Sequence, residues 1–400
     1  MRTVSDRRRR GRHVAMTGPL KIYLIAGEPS GDVLGVRLME GLKSLCLDRE
    51  VEFHGVGGPL MTGSGLQSLF PMDELTVMGL AEVLPRIPKI LGRIRETADD
   101  IRSKKPDIVV TIDAPDFSFR VAKKLSDVDV KIVHYVAPSV WAWRPGRAKK
   151  VARLVDHVMC LLPFEPPYFE RAGVSATFVG HSILESGADL GDGIDFRERH
   201  GIGADEKVLL ALPGSRMSEI SRLIDIFGET IRRTTEISGP CRVVIPTLPG
   251  IAGEIRLRTS DWDNTLIVED TSQKYDAFAA ADAALAASGT VSLELAMAGV
   301  PSLIAYRLSP LTAFIARRLI RVRYASIINL ILDKPAIPEF LQENCTPEAL
   351  TPALANLLRF DGAVRQQSDD IARALMALRP GDDLPSVAAA KVVLELADRT

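Results

Sequence analysis

The sequence predicts an α/β protein with two doubly wound, Rossmann-like domains. A chain of 400 residues with 46% apolar side chains is long enough for two cores of about 150 to 200 residues each. Short apolar runs alternate with helical patterns in two series, which is typical of parallel sheets buried on both faces. A stretch rich in glycine and small polar residues, 180–193, separates the two series and indicates a linker.

The first series predicts βαβ units. Its apolar runs are strand candidates at residues 22–26, 108–112, 131–136 and 158–162. Residues 33–46 and 120–125 between them have helical patterns. Strands that alternate with helices in this way form a parallel sheet.

The second series predicts another α/β domain. Its strand candidates are residues 208–212, 242–245, 266–268, 283–286 and 302–305, and the last 40 residues are helical in pattern. We expect an N-terminal domain over 19–190, a C-terminal domain over 191–360 and helices over 361–400. Two such domains facing each other would bind a ligand in the cleft between the carboxyl ends of their strands.

Composition and charge exclude several classes of protein. The 50 basic residues nearly balance the 51 acidic ones, so a nucleic-acid partner is not indicated. The four cysteines form no C-x-x-C pair, which argues against a disulfide framework or zinc ribbon and favours the cytoplasm. No run reaches the roughly 18 apolar residues needed to cross a bilayer. Residues 1–18, with four consecutive arginines at 7–10, are expected to be a disordered basic extension.

A phosphate site is a candidate after the strand 208–212. The turn Pro213-Gly214-Ser215-Arg216 precedes a helical pattern. Gly214 permits close backbone approach, Ser215 offers a hydroxyl, the helix start supplies N–H groups, and the Arg216 guanidinium can pair with phosphate. Such a turn is also common as an ordinary loop.

A second candidate anion site follows the strand 283–286. Ser288, Gly289 and Thr290 precede another helix, and Glu294 lies one turn inside it, where its carboxylate can reach a ribose diol. The alternative is an ordinary N-cap at Thr290 with Glu294 exposed to solvent.

The first strand ends in a segment suited to sugar hydroxyls. Gly27, Glu28, Ser30, Gly31 and Asp32 follow it and open a helix. The two carboxylates disfavour phosphate but accept hydrogen bonds from hydroxyl groups, so we expect this half to bind the acceptor. The same acids are equally consistent with helix capping.

A candidate general base follows the strand 108–112. Asp113 and Asp116 stand at the strand end, where α/β folds place ligands. An aspartate is ionised at neutral pH and can take a proton from an attacking hydroxyl, and Asp113 is the better candidate. A structural Asp113 with Asp116 as a helix cap is the alternative.

Residues 134–144 leave a strand with three aromatic rings and a cation, which suits stacking on a sugar or a packed aromatic corner. Ser139 and Trp141 are its candidate acceptor-binding residues. The six histidines lack metal-ligand spacing, so neither a zinc site nor a Ser-His-Asp triad is indicated. The D-x-D matches at 127–129 and 261–263 lie in polar connections and are too short to be specific.

Two stretches have the pattern of basic amphipathic helices. Ile87, Ile90, Leu91 and Ile94 are spaced on one helical face beside basic residues. The same pattern recurs at Leu311, Phe314, Ile315 and Leu319, beside Arg317, Arg318, Arg321 and Arg323. Such helices lie on anionic lipid or, more commonly, turn the apolar stripe to the core.

The ordered segments together resemble the lipid A disaccharide synthase family over about residues 20–345. The matching segments are AGEPSGDVLG (26–35), GVGGPLM (55–61), VMGLAEVLP (77–85), IDAPDFSF (112–119), HYVAPSVWAWRPGR (134–147), LPFEP (162–166), VGHS (179–182), LPGSR (212–216), ASGTVSLE (287–294) and YASIINLI (324–331). The extension and the sequence beyond about 350 match only loosely.

The resemblance implies a GT-B fold and an inverting transfer without a metal or other cofactor. UDP-2,3-diacylglucosamine would be the donor and 2,3-diacylglucosamine 1-phosphate the acceptor, giving the β-1,6 disaccharide 1-phosphate and UDP. It further implies that Asp113 deprotonates the acceptor 6-hydroxyl, Arg216 stabilises leaving UDP, Glu294 holds the ribose and Asn329 lines the donor pocket. Acyl chains would lie near residues 77–94.

The resemblance also implies peripheral contact with the cytoplasmic side of the inner membrane. In a homodimer the C-terminal helices would exchange between subunits, or they would pack back on the N-terminal domain. Nonhydrolysing UDP-N-acetylglucosamine 2-epimerases and MurG-like transferases share the expected architecture, so they are the alternative. A catalytically inactive sugar-nucleotide or lipid-binding protein is the alternative from another class.

Overall fold

A computed structural model describes residues 18–75, 80–143, 146–320, 322–359 and 361–398. The predicted basic extension, except for Gly18, lies outside these residues. Within them the polypeptide divides into two compact units, one comprising residues up to 131 together with those from 393 onward, and the other residues 132–392. The predicted domain boundary near residue 190 stays a prediction.

The first sheet has seven strands in the order β3-β2-β1-β4-β5-β6-β7. The pairings of β1 with β2 and β4, of β2 with β3, and of β6 with β5 and β7 are parallel. Its strands are β1 (Leu20–Ala26), β2 (Val51–Val56), β3 (Gln67–Ser68), β4 (Ile108–Ile112), β5 (Lys131–Tyr135), β6 (His157–Cys160) and β7 (Ser175–Phe178). The accompanying helices are α1 (Pro29–Leu45), α2 (Pro59–Gly63), α3 (Leu80–Lys104), α4 (Pro115–Lys124), α5 (Val140–Trp143), α6 (Arg147–Val151) and α7 (Pro166–Glu170).

The second sheet has six parallel strands in the order β10-β9-β8-β11-β12-β13. Its strands are β8 (Lys207–Leu212), β9 (Cys241–Pro246), β10 (Thr265–Val268), β11 (Ala283–Ala287), β12 (Ser302–Tyr306) and β13 (Glu339–Leu341). The helices are α8 (Gly193–Arg199), α9 (Met217–Ser238), α10 (Pro249–Arg258), α11 (Lys274–Ala279), α12 (Val291–Met297), α13 (Pro310–Leu319), α14 (Ile327–Leu332), α15 (Pro347–Arg359), α16 (Asp361–Ala377) and α17 (Pro385–Ala397).

Helices cover both faces of the second sheet. Leu209 and Ala211 of β8 pack in a core with α9, α10 and α15, whereas Val208, Leu210 and Leu212 pack in a core with α8, α11, α12 and α16. Successive side chains of a strand point to opposite faces, so this strand needs an unbroken apolar run. The α/β prediction is therefore confirmed, and all nine predicted strands occur.

Four strands were missed because their apolar signal is weak. β2 includes Glu52, His54 and Gly55, and β3 has only two residues. β7 and β13 lie at sheet edges, where one side of a strand is unpaired and polar residues are common. The predicted C-terminal helices over residues 361–400 are confirmed as α16 and α17.

Residues 180–193, the predicted linker, pack against other parts of the second unit. The backbone N–H of His181 donates to the carbonyl of Leu378, and Gly180 lies against the Pro380 ring. Ile183 and Ala188 are buried. Apolar side chains interspersed among the glycines anchor the segment to the end of α16.

The contact between Gly228 of α9 and the Trp262 indole yields a stability prediction. A Cβ at Gly228 would lie 2.5 Å from Nε1 and 2.8 Å from Cε2 of Trp262. Gly228→Ala should therefore destabilise the protein by about 1 to 3 kcal/mol through overpacking, measured by urea unfolding. Gly253→Ala is the matched control, because Gly253 lies in α10 with open space around it and should gain about 0.4 to 1 kcal/mol. Equal effects of the two changes would contradict the packing argument.

Candidate functional site

A cavity of about 540 Å³ lies at the carboxyl ends of strands in the second sheet. Loops after β8, β9, β10, β11 and β12 line it. β8 and β11 are neighbours, with Leu212 opposite Ala286 in the register, and the strand order reverses between them. Ligands of doubly wound folds bind at such a reversal. The two predicted anion-binding turns follow these two strands and share this cavity.

The turn after β8 brings Gly214, Ser215 and Arg216 to the cavity wall. Gly214 has φ +117°, and a Cβ there would lie 2.5 Å from a carboxylate oxygen of Glu219, so only glycine fits. Ser215 and Arg216 are exposed, and α9 begins directly after them. Free N–H groups of the helix start and the guanidinium therefore line one wall, an arrangement that suits an anion.

The turn after β11 brings Ser288, Gly289 and Thr290 to the same cavity, with Glu294 one turn further along α12. The Glu294 side chain is only 16% exposed. Lys274 Nζ contacts its two oxygens at 2.7 and 2.8 Å, and the Tyr275 hydroxyl donates to Oε1 at 3.0 Å. The alternative of a solvent-facing Glu294 is thereby wrong.

Several residues that line the cavity were not predicted from the sequence. They are Glu219, Thr247, Leu248, Asp270, Lys274 and Tyr306. Burial raises the pKa of Tyr306, the nearby Glu219 carboxylate adds to the shift, and Arg216 and Arg222 oppose it. Most of these residues lie at or beyond the carboxyl end of a predicted strand, which was the signal that could have found them.

Asn329 is not among the residues that line this cavity. It is fully buried in α14, where its Nδ2 donates to the Ile337 carbonyl and the Glu339 carboxylate, both at 2.7 Å. Its Oδ1 accepts the Ile337 N–H at 2.8 Å. The structure therefore shows Asn329 fastening the segment before β13.

A second site forms in the first unit where β1 and β4 end side by side. Ala26 is opposite Ile112 in the register, and the order of the strands reverses between them. A Cβ at Gly27 would lie 2.9 Å from the Cβ of Ala114. The segment with exposed Glu28 and Ser30 is therefore adjacent to the turn that carries Asp113.

Asp113 sits in a strained and partly desolvated turn. Asp113 and Ala114 have φ angles of +49° and +43°, in a region that non-glycine residues adopt at a cost of about 1 to 3 kcal/mol each. Burial raises the pKa of the Asp113 carboxyl, and a hydrogen bond from the Ala114 backbone N–H opposes the shift. Such strain is concentrated at functional sites, and a raised pKa makes the carboxylate a stronger base.

Asp32 caps a helix. It is buried, and its carboxylate accepts the backbone N–H groups of Gly58 at 2.9 Å and of Leu60 and Met61 at 3.0 Å. These bonds satisfy the start of α2 and occupy three of the roughly four acceptor positions of a carboxylate. Asp32 therefore caps α2 and not α1, the helix that the capping alternative concerned. A role of Asp32 in acceptor binding stays a prediction. Gly31 is buried against Ala26 and the Ile112 carbonyl.

In the second unit, Ser139 is exposed and Trp141 is half-buried. The Trp141 indole N–H donates to Glu165 at 3.0 Å, and its ring meets Phe164 edge-on at 5.2 Å. Glu165 also accepts two backbone N–H groups, and burial raises its pKa to about 7. The aromatic-corner alternative thus accounts for one side of Trp141. No group of three or more metal-ligating side chains occurs in the part of the chain that the structure describes.

A family model and curated proteins match this chain over most of its length. Residues 22–390 match the family model described as lipid-A-disaccharide synthetase. The lipid-A-disaccharide synthase of Rhodospirillum centenum is 51% identical over 381 residues, which cover 94% of this chain and 95% of that protein.

Solved structures with the same fold are much less similar in sequence. A putative UDP-N-acetylglucosamine 2-epimerase from Listeria monocytogenes has a TM-score of 0.66 at 14% identity, covering 94% of this chain and 95% of that one. MurG from Acinetobacter baumannii has a TM-score of 0.58 at 14% identity, covering 94% and 100%. These likenesses concern the fold, and they confirm the GT-B prediction.

The buried bonds of Asp32 yield a stability prediction. Asp32→Ala leaves three N–H groups of the α2 start without their acceptor, which should cost about 3 kcal/mol or more in the free energy of unfolding. Asp48→Ala, at an exposed loop position, should change it by less than about 0.5 kcal/mol. Urea unfolding of both variants measures the difference. An Asp32→Ala protein as stable as the parent would show that these bonds do not hold the loop.

Proposed function

This chain belongs to the lipid-A-disaccharide synthase family, and we propose that it transfers 2,3-diacylglucosamine from UDP-2,3-diacylglucosamine to the 6-hydroxyl of 2,3-diacylglucosamine 1-phosphate. Members of the family are glycosyltransferases of lipid A biosynthesis. The products are the β-1,6-linked disaccharide 1-phosphate and UDP. The observation that carries the proposal is the cavity shared by the β8 and β11 turns, with Arg216 on its wall.

The donor nucleotide is proposed to bind in this cavity. Its pyrophosphate would pair with Arg216 and with backbone N–H groups near Gly214, Ser215 and Ser288 to Thr290, and its ribose with Glu294. Negative charge grows on UDP as the glycosidic bond breaks. Fixed N–H dipoles and a guanidinium stabilise that charge without reorganising.

The acceptor is proposed to react at Asp113, with Glu28 and Ser30 beside it. Contacts of the acceptor with Ser139 and Trp141 stay predictions. The 6-hydroxyl oxygen attacks the anomeric carbon from the face opposite UDP, so the configuration inverts. Asp113 takes the hydroxyl proton as the new bond forms. Its desolvated position supports this role, because a base with a raised pKa holds the proton more strongly.

The epimerase and MurG-like alternatives are related to this chain through the fold alone, at 14% identity. The 51% identity to a lipid-A-disaccharide synthase over nearly the whole chain favours the disaccharide reaction over both. Asp113 and Arg216 at strand ends favour an active enzyme over an inactive binding protein.

Asp113→Ala tests the reaction and the base together. Incubation with both acylated substrates, with UDP release and disaccharide mass as readouts, should show product with the parent and a kcat about 100-fold to 10,000-fold lower with the variant. UDP should still bind, because Asp113 is outside the nucleotide cavity. Asp116→Ala, an exposed carboxylate three residues along, should leave kcat nearly unchanged. Without product from the parent, the proposed reaction is wrong.

The same assay gives a pH profile with a defined direction. A general base works only when it is deprotonated, so kcat/KM should be retained above the pKa of Asp113 and lost as the pH falls through it. Because burial raises this pKa, the loss should begin at a higher pH than for an unperturbed aspartate. Near-normal activity of Asp113→Ala would refute its role.

We further propose that α13 contacts the lipid surface that holds the acylated substrates. Phe314 and Leu319 are exposed beside Arg317 and Arg318, and the Arg318 guanidinium stacks on the Phe314 ring at 3.6 Å. The side chains of Leu311, Ile315 and Arg321 lie outside the described residues. Exposed apolar and cationic side chains on one short helix suit an anionic membrane interface.

The other predicted amphipathic stretch, in α3, has both buried and exposed apolar side chains. Ile94 is buried, whereas Ile87 and Leu91 are exposed. Residues 76–79 and the side chains of 80–86 lie outside the described residues, so the proposed acyl contacts at 77–94 rest on the resemblance. Among the helices that the structure describes, none has the length and apolarity needed to cross a bilayer. A cytoplasmic location at the inner membrane and a homodimer with exchanged C-terminal helices stay predictions.

Co-sedimentation with phosphatidylglycerol-containing vesicles tests the α13 contact. Phe314→Ser combined with Leu319→Ser should weaken binding about tenfold or more, since each buried apolar side chain contributes about 1.5 to 3 kcal/mol. Leu257→Ser, at a leucine of α10 that is more exposed than either Phe314 or Leu319, should leave binding unchanged. Added salt should also weaken binding by screening Arg317 and Arg318. Unchanged binding by the double variant would show that α13 is not the contact.

A further inference from the structure

We propose that Lys274 is a positioning and specificity-determining residue, which orients the Glu294 carboxylate so that it accepts a hydrogen bond from one ribose hydroxyl of the nucleotide. The inference rests on the proposed function, because it takes the cavity between the β8 and β11 turns as the nucleotide site. Lys274 lies outside the two turns, Gly214 to Arg216 and Ser288 to Thr290, that the sequence predicts at this cavity. Lys274 begins α11, after the edge strand β10.

The contacts of Glu294 fix its carboxylate from one side. Lys274 Nζ is 2.7 Å from Oε1 and 2.8 Å from Oε2, so the ammonium bridges both oxygens. The Tyr275 hydroxyl donates to Oε1 at 3.0 Å. Rotation of the carboxylate would break at least one of these bonds, and hydrogen bonds to a charged group are stronger than those between neutral groups.

The Lys274 ammonium is itself held in place. It lies 5.4 Å from the centre of the Tyr275 ring and 5.7 Å from that of Phe278, within the range of cation–π attraction. Phe278 is fully buried and anchors α11 in the core. The cation that orients Glu294 therefore rests on a rigid aromatic support.

The acceptor capacity of Glu294 limits what it can recognise. A carboxylate has about four acceptor positions, two on each oxygen. Oε1 already accepts from Lys274 and Tyr275, and Oε2 accepts from Lys274. One position remains, on Oε2. Glu294 held in this way can accept from one of the two ribose hydroxyls, whereas an unrestrained carboxylate could accept from both.

Calorimetric titration with UDP, 2′-deoxy-UDP and 3′-deoxy-UDP tests the inference. The parent protein should bind one deoxy analogue about tenfold or more weakly than UDP, corresponding to about 1.4 kcal/mol, and the other within about threefold of UDP. Lys274→Met frees the carboxylate, so the preference for UDP over the first analogue should fall to about threefold or less. Lys274→Arg restores a cation beside Glu294 and should retain much of the preference.

Lys207→Met is the matched control. Lys207 Nζ pairs with Asp282 at 2.7 Å, at the amino end of β8 and away from the lining of the cavity. Lys207→Met removes a lysine–carboxylate ion pair with the same 2.7 Å distance as that of Lys274 with Glu294. The affinities for UDP and both deoxy analogues should stay unchanged. Thermal melting verifies that each variant is folded, and Lys274→Gln replaces Lys274→Met if the latter does not fold.

Two outcomes overturn the inference. If Lys274→Met weakens UDP and both analogues by the same factor, Lys274 acts on the phosphates or on stability and not through Glu294. If the parent binds UDP but discriminates against neither analogue, or against both, Glu294 does not read one hydroxyl. Disaccharide formation by the parent in the substrate assay leaves the proposed function standing in either case. If the parent protein does not bind UDP at all, both the inference about Lys274 and the proposed function are wrong.

Discussion

The structure depends on the burial of parallel strands between two layers of helices. In the second sheet, Leu209 and Ala211 face one helical layer while Val208, Leu210 and Leu212 face the other. Burial on both faces leaves the strand ends as the places where polar side chains can collect. Because all the pairings are parallel, the carboxyl ends of β8, β9, β10, β11 and β12 lie at one edge, and the loops that leave them converge on one cavity.

Charge is distributed differently in the two candidate sites. The cavity of the second unit is lined by two cations, Arg216 and Lys274, and by three carboxylates, Glu219, Asp270 and Glu294. Glu294 is present there as the partner of Lys274. The first unit offers carboxylates, of which Asp32 is consumed in capping α2 while Asp113 occupies a strained and partly desolvated turn.

Local sequence predicts the two turns that line the cavity of the second unit, but it does not predict the other lining residues. The turns at Gly214 to Arg216 and at Ser288 to Thr290 could be predicted because glycine and small polar residues directly follow apolar strands. Lys274, the first residue of α11, and Tyr306, the last residue of β12, were not predicted. Their only signal in the sequence is a position at or beyond a strand end, because a single lysine or tyrosine forms no motif. Asn329 was assigned to the donor pocket from the resemblance, but its amide donates to Ile337 and Glu339 and accepts from Ile337, and it does not line the cavity. The role of the Asn329 side chain depends on which groups the fold places beside it.

The sequence by itself determined the α/β class, the alternation of strands and helices, the positions of the two candidate anion-binding turns and the family. Those features are local, because apolar periodicity and turn residues act over a few neighbouring positions. Tertiary structure alone decided that Asp32 caps α2, that residues 180–193 pack against the end of α16, and that Lys274 bridges Glu294. Each of these contacts joins residues that are not neighbours in the sequence. A charged side chain can pair with many partners, and only the packing of the folded chain determines which group takes the place of solvent beside it.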